Sequence, residues 1–116
     1  MSVISLERYR SLAEAAKTRF ERLGLVNISV RQADGSRGLI AEGPFDRIIV
    51  HCAVEGATEP FLDQLTPGGA LVGVLRVGRI TELTRWRRSE GNRSVEMDHF
   101  GQLDLPTMVT GLSEVL

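Results

Sequence analysis

Two acidic residues, Glu7 and Asp34, each follow a short apolar run, and a strongly helical segment separates the runs. The first run, Val3-Ile4-Ser5-Leu6, ends in Glu7, and the second ends in the pair Asp34-Gly35. In open α/β sheets, an acid at the carboxyl end of a strand binds the ribose hydroxyls of a nucleotide. The sequence therefore predicts a nucleoside-binding edge that includes Glu7, Asp34 and Gly35.

Both acids also have a purely structural explanation. An acid just before a helix is favoured by the helix dipole by ~0.3–1 kcal/mol. Asp-Gly is a common turn-forming pair, so Asp34 is also explained as a turn residue. Their pairing at successive strand ends favours a site more than either acid does alone, but for Glu7 both interpretations stay open.

Other residues that could catalyse a reaction or bind a metal give weaker indications of a functional site. His51 and Cys52 follow the third predicted strand, but neighbouring strand residues point to opposite faces, which argues against a catalytic Cys–His pair. Cys52 is better explained as a small buried hydrophobe. His99 has no companion ligands at metal-binding spacing. We predict no metal site, and the residues identify no catalytic group.

A concentration of arginines surrounds Trp86 near the predicted edge of the sheet. Acids are interspersed among them, and the whole chain has a net charge of -1. An edge hairpin is commonly charged because charge prevents aggregation between sheets. We therefore expect no nucleic-acid partner. The arginines are Arg76, Arg79, Arg85, Arg87 and Arg88.

Composition favours a soluble cytoplasmic protein. The 116 residues include one cysteine, which excludes an internal disulfide framework and fits a reducing compartment. The sequence has no apolar run near the ~20 residues that span a bilayer, so no membrane partner is expected. A chain of this length predicts one domain.

Alternating helical and apolar segments predict an α/β fold. We expect strands at 2–6, 27–32, 47–50 and 70–75, and helices at 8–23 and 59–65. Gly24 is placed for a left-handed helix cap, and Pro67-Gly68-Gly69 is expected to form a turn before the fourth strand. This alternation is typical of a parallel sheet. The apolar face predicted for the first helix comprises Tyr9, Leu12, Ala13, Ala16, Phe20 and Leu23.

The last third of the chain has a different pattern. Segments 80–88 and 94–100 are predicted to form an antiparallel hairpin around the turn at 89–92. Segment 103–116 is compatible with either a short strand or an irregular tail. The whole chain, 1–116, is then one partial domain, with a parallel βαβ part at 2–75 and an antiparallel edge and tail at 79–116.

The order of motifs across residues 2–75 resembles the central and C-terminal part of the protein-L-isoaspartate O-methyltransferases. This family belongs to the class I S-adenosylmethionine-dependent methyltransferases. The Asp-Gly-Ser-x-Gly turn combined with Phe-Asp-Arg-Ile-Ile-Val narrows the resemblance to this family. The matching segments are VISLE at 3–7, LGLVNISV at 23–30, ADGSRG at 33–38, PFDRIIV at 44–50 and LTPGGALV at 65–72.

The resemblance implies a truncated Rossmann-like sheet, mostly parallel, with an antiparallel C-terminal hairpin. It implies S-adenosylmethionine as cofactor and methyl transfer to a carboxylate, with a protein as a possible substrate. It places Glu7 on the cofactor ribose and Asp34 beside the adenine, with Gly35 in the same turn.

Several parts of the family pattern have no counterpart in these residues. They are the first strand, its glycine-rich loop and the N-terminal substrate segment. We therefore expect this chain alone to be incomplete or inactive as a methyltransferase. The alternative is a non-catalytic oligomerising or binding module derived from such a domain. Loss of a central strand exposes unpaired strand edges, which predicts a homo-oligomer.

Overall fold

The computed structural model describes residues 1–56 and 58–114 and has an α/β fold. Short 3₁₀ turns lie at Gly35–Arg37 and Ile40–Glu42. Across the described residues, no helix is both long enough and apolar enough to cross a lipid bilayer. The elements are β1 (Val3–Glu7), α1 (Arg10–Arg22), β2 (Ile28–Gln32), β3 (Phe45–Val54), α2 (Glu59–Leu62), β4 (Leu65–Val77), β5 (Ile80–Arg88) and β6 (Val95–Gln102).

The chain divides into two compact units. One contains Met1–Ser36 together with the C-terminal residues from Val109 onward, and the other contains Arg37–Met108. The predicted single-domain organisation over 1–116, with parts at 2–75 and 79–116, stays a prediction.

The first unit is built on a βαβ crossover. Strands β1 and β2 are parallel, with a continuous register from Val3 opposite Ile28 to Glu7 opposite Gln32. Helix α1 lies between them in sequence and is shorter than the predicted 8–23. It ends as predicted, because Gly24 has a φ of 69° and donates its N–H to the Glu21 carbonyl.

The predicted apolar face of α1 is only partly buried. Ala13 is the only residue of the helix that is fully buried. Leu12 and Leu23 belong to the predicted apolar face and are exposed, and Leu23 lies just beyond the end of the helix. Apolar residues spaced three and four positions apart identify the apolar face of a helix, but the spacing does not show how much protein covers that face.

The second unit contains a four-stranded sheet in the order β3-β4-β5-β6. The prediction of a mostly parallel sheet was wrong, because only β3 and β4 are parallel and the other two neighbouring pairs are antiparallel. The β4–β5 pairing closes at Val77 opposite Ile80, across a two-residue turn that begins at Gly78. Gly78 has a φ of 62°, which suits the first position of a tight hairpin turn.

Strand β4 is much longer than the predicted segment 70–75. Pro67-Gly68-Gly69 lies within the strand rather than in a separate turn, so this boundary was wrong. The irregularity appears instead as a register shift between the pairs at Phe45 and Arg47. Gly68 has a φ of 79°, which lets the strand bend there and continue. Strand β5 has the predicted bounds, and the predicted C-terminal antiparallel hairpin with β6 is present.

The hydrophobic core of the second unit forms where α2 packs against the four-stranded sheet. Its buried members come from α2 and from strands β3, β4 and β5. Ile48, Val50, Leu62, Leu75 and Met108 pack around them and are partly buried. The core residues are Val54, Phe61, Leu65, Leu71 and Trp86.

Candidate cofactor site

Glu7 lies at the carboxyl end of β1, as the sequence predicts. Its half-buried carboxylate accepts a hydrogen bond at Oε1 from the Tyr9 backbone N–H, at 3.0 Å. Its carbonyl accepts a hydrogen bond from the Ala33 N–H, also at 3.0 Å, which extends the β1–β2 pairing by one step. Among the described residues, the bond from Tyr9 is the only hydrogen bond that this carboxylate accepts.

Asp34 lies two residues beyond the end of β2 and forms the turn that the sequence predicts. Its Oδ1 accepts a hydrogen bond from the Ser36 N–H at 3.0 Å, which is the bond of an Asx turn. Its Oδ2 accepts a second one from the Gly111 N–H at 2.9 Å. Asp34 is exposed, and both carboxylate oxygens are oriented by backbone donors.

The backbone conformation and the space at position 35 do not require a glycine. The φ of Gly35 is not in the left-handed region, and a Cβ there would lie 3.5 Å from Leu6 Cδ1, an ordinary van der Waals distance. Gly38, three residues later, has a φ of 73°, and a Cβ there would collide with the Gln64 carboxamide. Local geometry thus explains Gly38 and leaves Gly35 without a conformational reason.

The first unit places Glu7, Asp34 and Gly35 at the same end of the β1–β2 pair. Parallel strands in register end at one edge, which brings the two acids to that edge although many residues separate them in sequence. Gln32, opposite Glu7, was missed by the sequence analysis. Its Nε2 donates to the Arg8 carbonyl at 3.3 Å and to the Ser113 carbonyl at 3.0 Å.

His51 and Cys52 lie inside β3, where its register against β4 shifts between Ile49 and Ala53. His51 is exposed and Cys52 is partly buried. Burial raises the pKa of the Cys52 thiol, which keeps it protonated and poorly nucleophilic at neutral pH. The geometry therefore agrees with Cys52 as a packing residue.

Of the five arginines around Trp86, Arg85 and Arg87 form ion pairs across the β5–β6 hairpin. Arg85 Nη2 lies 3.0 Å from Asp98 Oδ2, and Arg87 Nη2 lies 3.0 Å from Glu96 Oε2. Arg88 donates instead to the Leu65 carbonyl. These pairs neutralise much of the basic character of the hairpin, as the interpretation of a charged edge predicts.

Asp98 gives this hairpin a testable pH dependence. Hydrogen bonding from Arg85, with the nearby charge of Arg87, lowers the pKa of Asp98. A carboxyl group whose folded-state pKa is depressed adds stability above its unfolded pKa, and this is lost as pH falls through the folded value. We expect Asp98→Asn to lower the urea midpoint slightly at pH 7 and to lower it less as the pH falls below the unfolded-state pKa of about 3.9. An equal loss at pH 7 and at about pH 3 would contradict this assignment.

His99 also makes contacts within the hairpin. Its Nδ1 lies 3.1 Å from both Glu82 Oε2 and Thr84 Oγ1. Over residues 1–56 and 58–114, no group of three or more His, Cys, Asp or Glu side chains is arranged to hold a metal ion.

Comparison with solved structures defines the class of fold. The chain has the Rossmann-like fold of the methyltransferases. It is similar to a Plasmodium falciparum protein assigned as a protein-L-isoaspartate O-methyltransferase and solved in complex with S-adenosyl-L-homocysteine, with a TM-score of 0.76 and 19% identity over 93% of this chain and 52% of that one. A second solved protein-L-isoaspartate O-methyltransferase gives a TM-score of 0.80 and 24% identity, over 97% of this chain and 35% of that one.

Sequence comparison identifies the family. The model of the protein-L-isoaspartate(D-aspartate) O-methyltransferase family matches residues 1–105, and the chain belongs to that family. It is 33% identical to the protein-L-isoaspartate O-methyltransferase of Azorhizobium caulinodans, over 98% of this chain and 52% of the relative. It is 50% identical to that of Brucella anthropi, over 60% of this chain and 32% of the relative. The chain thus spans about half the length of these relatives, or less.

Proposed function

We propose that this chain carries the ribose and adenine side of the S-adenosylmethionine site of a protein-L-isoaspartate O-methyltransferase. The observation behind the proposal is the placement of Glu7 and Asp34 at one edge of the β1–β2 pair in a chain of this family. The bound S-adenosyl-L-homocysteine in the Plasmodium falciparum neighbour supports the choice of cofactor.

Glu7 is proposed to bind the ribose. The Tyr9 N–H holds one carboxylate oxygen in place, which fixes the direction of the other. A hydrogen bond from a ribose hydroxyl to a carboxylate is charge-assisted and therefore stronger than a neutral one. Because Glu7 is half-buried, its free oxygen is partly shielded from competing water.

Asp34 and Gly35 are proposed to bind the adenine. The exocyclic amino group of adenine is a hydrogen-bond donor, and Asp34 Oδ2 already accepts from a backbone donor at 2.9 Å. Gly35 follows directly, and neither its φ nor crowding requires a glycine. The missing side chain leaves space for a flat base to lie against the backbone.

S-adenosylmethionine supplies an activated methyl group, and the proposed acceptor is a carboxylate of an altered aspartyl residue in a protein. These residues hold the nucleoside, so that the methyl group keeps one position relative to the acceptor. We propose that the 116 residues alone bind the nucleoside without completing the transfer, because they contain no counterpart of the family's glycine-rich loop.

A specific observation also favours an oligomerising module as the second candidate. Strand β6 lies at the end of its sheet order, and its apolar residues Met97 and Phe100 are exposed. An unpaired edge with exposed apolar residues is able to pair with another chain, so a homo-oligomer is proposed. Sedimentation as a monomer at high concentration would count against it.

The cofactor proposal is tested by calorimetric titration with S-adenosyl-L-homocysteine. We expect binding by the native chain and about a tenfold loss of affinity in Glu7→Gln, since the change replaces a charge-assisted hydrogen bond by a neutral one. Asp34→Asn should cause a smaller loss, because it weakens both the bond to adenine and the bond from the Gly111 N–H. Thermal stability should rise with ligand concentration, because the ligand binds the folded state. Glu21→Gln, an exposed change at the far end of α1, is the matched control and should bind normally. Absence of binding at millimolar ligand would favour the oligomerising module.

A further inference from the structure

Residues 111–114 run along the start of α1 in the first unit, and we call this segment the strap. Its Ser113 forms an isolated parallel bridge with Tyr9. The Ser113 N–H donates to the Arg8 carbonyl and the Arg10 N–H donates to the Ser113 carbonyl, both at 2.9 Å. The strap is thus held much like a short third strand.

The strap also supplies acceptors that the helix lacks. Tyr9, the residue before α1, makes no side-chain capping bond, so the first N–H groups of the helix need other partners. Ser113 accepts from the Arg10 N–H, and Glu114 accepts from the Ser11 N–H at 3.2 Å. The strap therefore caps α1 at the edge where Glu7 ends β1.

Side-chain contacts fix the strap to the candidate site itself. The Gly111 N–H donates to Asp34 Oδ2, and the Gly111 carbonyl accepts from Arg8 Nε at 3.1 Å. Gln32 donates to the Ser113 carbonyl at 3.0 Å. The strap thus binds the oxygen of Asp34 that the proposed function assigns to the adenine amino group.

The strap is held weakly compared with a packed element. Leu112, its one large apolar side chain, is 60% exposed. The ion pair between Arg10 and Glu114 joins two exposed side chains, 58% and 73% accessible, and such pairs contribute little. The bonds of Gly111 to Asp34 and to Arg8 are exposed, and a segment with exposed hydrogen bonds and little buried apolar surface opens at low cost in free energy. It also lies beyond residues 1–105, the part of the chain that the family model matches.

We propose that the strap is an autoinhibitory segment that competes with the cofactor nucleoside for Asp34 and the adjoining strand edge. This inference rests on the proposed function, because it needs a nucleoside at that edge. A protein whose binding-competent state is populated to ~10% binds its ligand about tenfold more weakly than the open state does. Release of the strap should therefore raise the affinity for S-adenosyl-L-homocysteine.

Two variants of the full chain release the strap in different ways. Gly111→Pro removes the N–H that donates to Asp34, and proline cannot adopt the φ of 86° found there. Glu114→Arg keeps the backbone donors and replaces the pair with Arg10 by a repulsion. Glu21→Arg makes the same change of charge at an exposed site of α1 and is the matched control. We expect about tenfold tighter binding in Gly111→Pro, a smaller gain in Glu114→Arg and none in the control.

Hydrogen exchange on the native chain tests the same point without a substitution. If the ligand displaces the strap, saturation with S-adenosyl-L-homocysteine should speed exchange of the Arg10 and Ser11 amides, which the strap now protects. If the native chain binds normally but both variants bind with unchanged affinity and amide exchange is unchanged, the proposal that the strap inhibits binding is wrong. The proposed cofactor site would then still stand. If neither the native chain nor any variant binds S-adenosyl-L-homocysteine, both the proposed cofactor site and the proposed role of the strap are wrong.

Discussion

Phe61→Ala is expected to lower the free energy of unfolding by about 3–5 kcal/mol. Phe61 is only 2% exposed and is the only buried residue of α2. It belongs to the core that also contains Leu65, Leu71 and Trp86. Truncation to alanine removes the transfer free energy of the ring and leaves a cavity that the surrounding strands cannot fully close. Urea unfolding followed by the fluorescence of Trp86 measures the loss directly.

Phe100→Ala provides the matched control, because it removes the same ring from an exposed position. Phe100 lies on β6 and is 58% exposed, with the Arg85 guanidinium 5.2 Å from its ring centroid. Loss of an exposed cation–π contact costs about 0.5–1 kcal/mol. A similar loss of stability in the two variants would contradict the location of the core beneath α2.

The residues of the second unit show why some strand boundaries are predictable and others are not. Strand β5 was predicted at its observed bounds, because a turn signal follows it and its extended pattern is continuous. Strand β4 was predicted too short, because Pro67-Gly68-Gly69 is a local turn signal that the surrounding pairing overrides. Gly68 takes up the bend with a positive φ and the strand continues through it. The sheet is mostly antiparallel because the tight turn at Gly78 reverses the direction of the chain between β4 and β5. The alternation of helices and strands in the sequence does not reveal this reversal.

The candidate site divides in the same way into local and distant features. Glu7 and Asp34 each follow an apolar run, so their placement at strand ends is a local property that the sequence predicts. The bond between Gly111 and Asp34 joins residues 77 positions apart. No periodicity or turn signal in 103–116 indicates such a contact, because it depends on where an irregular segment meets another element.

Gln64→Leu is the second change with a large expected effect, about 2–4 kcal/mol of unfolding free energy. Gln64 is 6% exposed, and its carboxamide bonds three backbone groups. Its Nε2 donates to the Arg37 and Pro60 carbonyls, and its Oε1 accepts from the Leu39 N–H, each at 2.7 Å. Leucine has nearly the same volume but leaves these groups without a partner. A fully buried polar group left unpaired costs about 1–3 kcal/mol, and because these three bonds are only part-buried we expect a total below the sum of three such costs.

Two further substitutions separate hydrogen bonding from packing at this position. Gln64→Glu keeps the shape and the acceptor for the Leu39 N–H, but its ionised carboxylate faces the Arg37 and Pro60 carbonyls. We therefore expect it to destabilise the protein at pH 7 and to recover part of the stability when the carboxyl is protonated at lower pH. Gln102→Leu makes the leucine change at an exposed position of β6 and should alter stability by less than about 0.5 kcal/mol. If Gln64→Leu were as harmless as Gln102→Leu, the carboxamide would not be what holds residues 37–39 against α2.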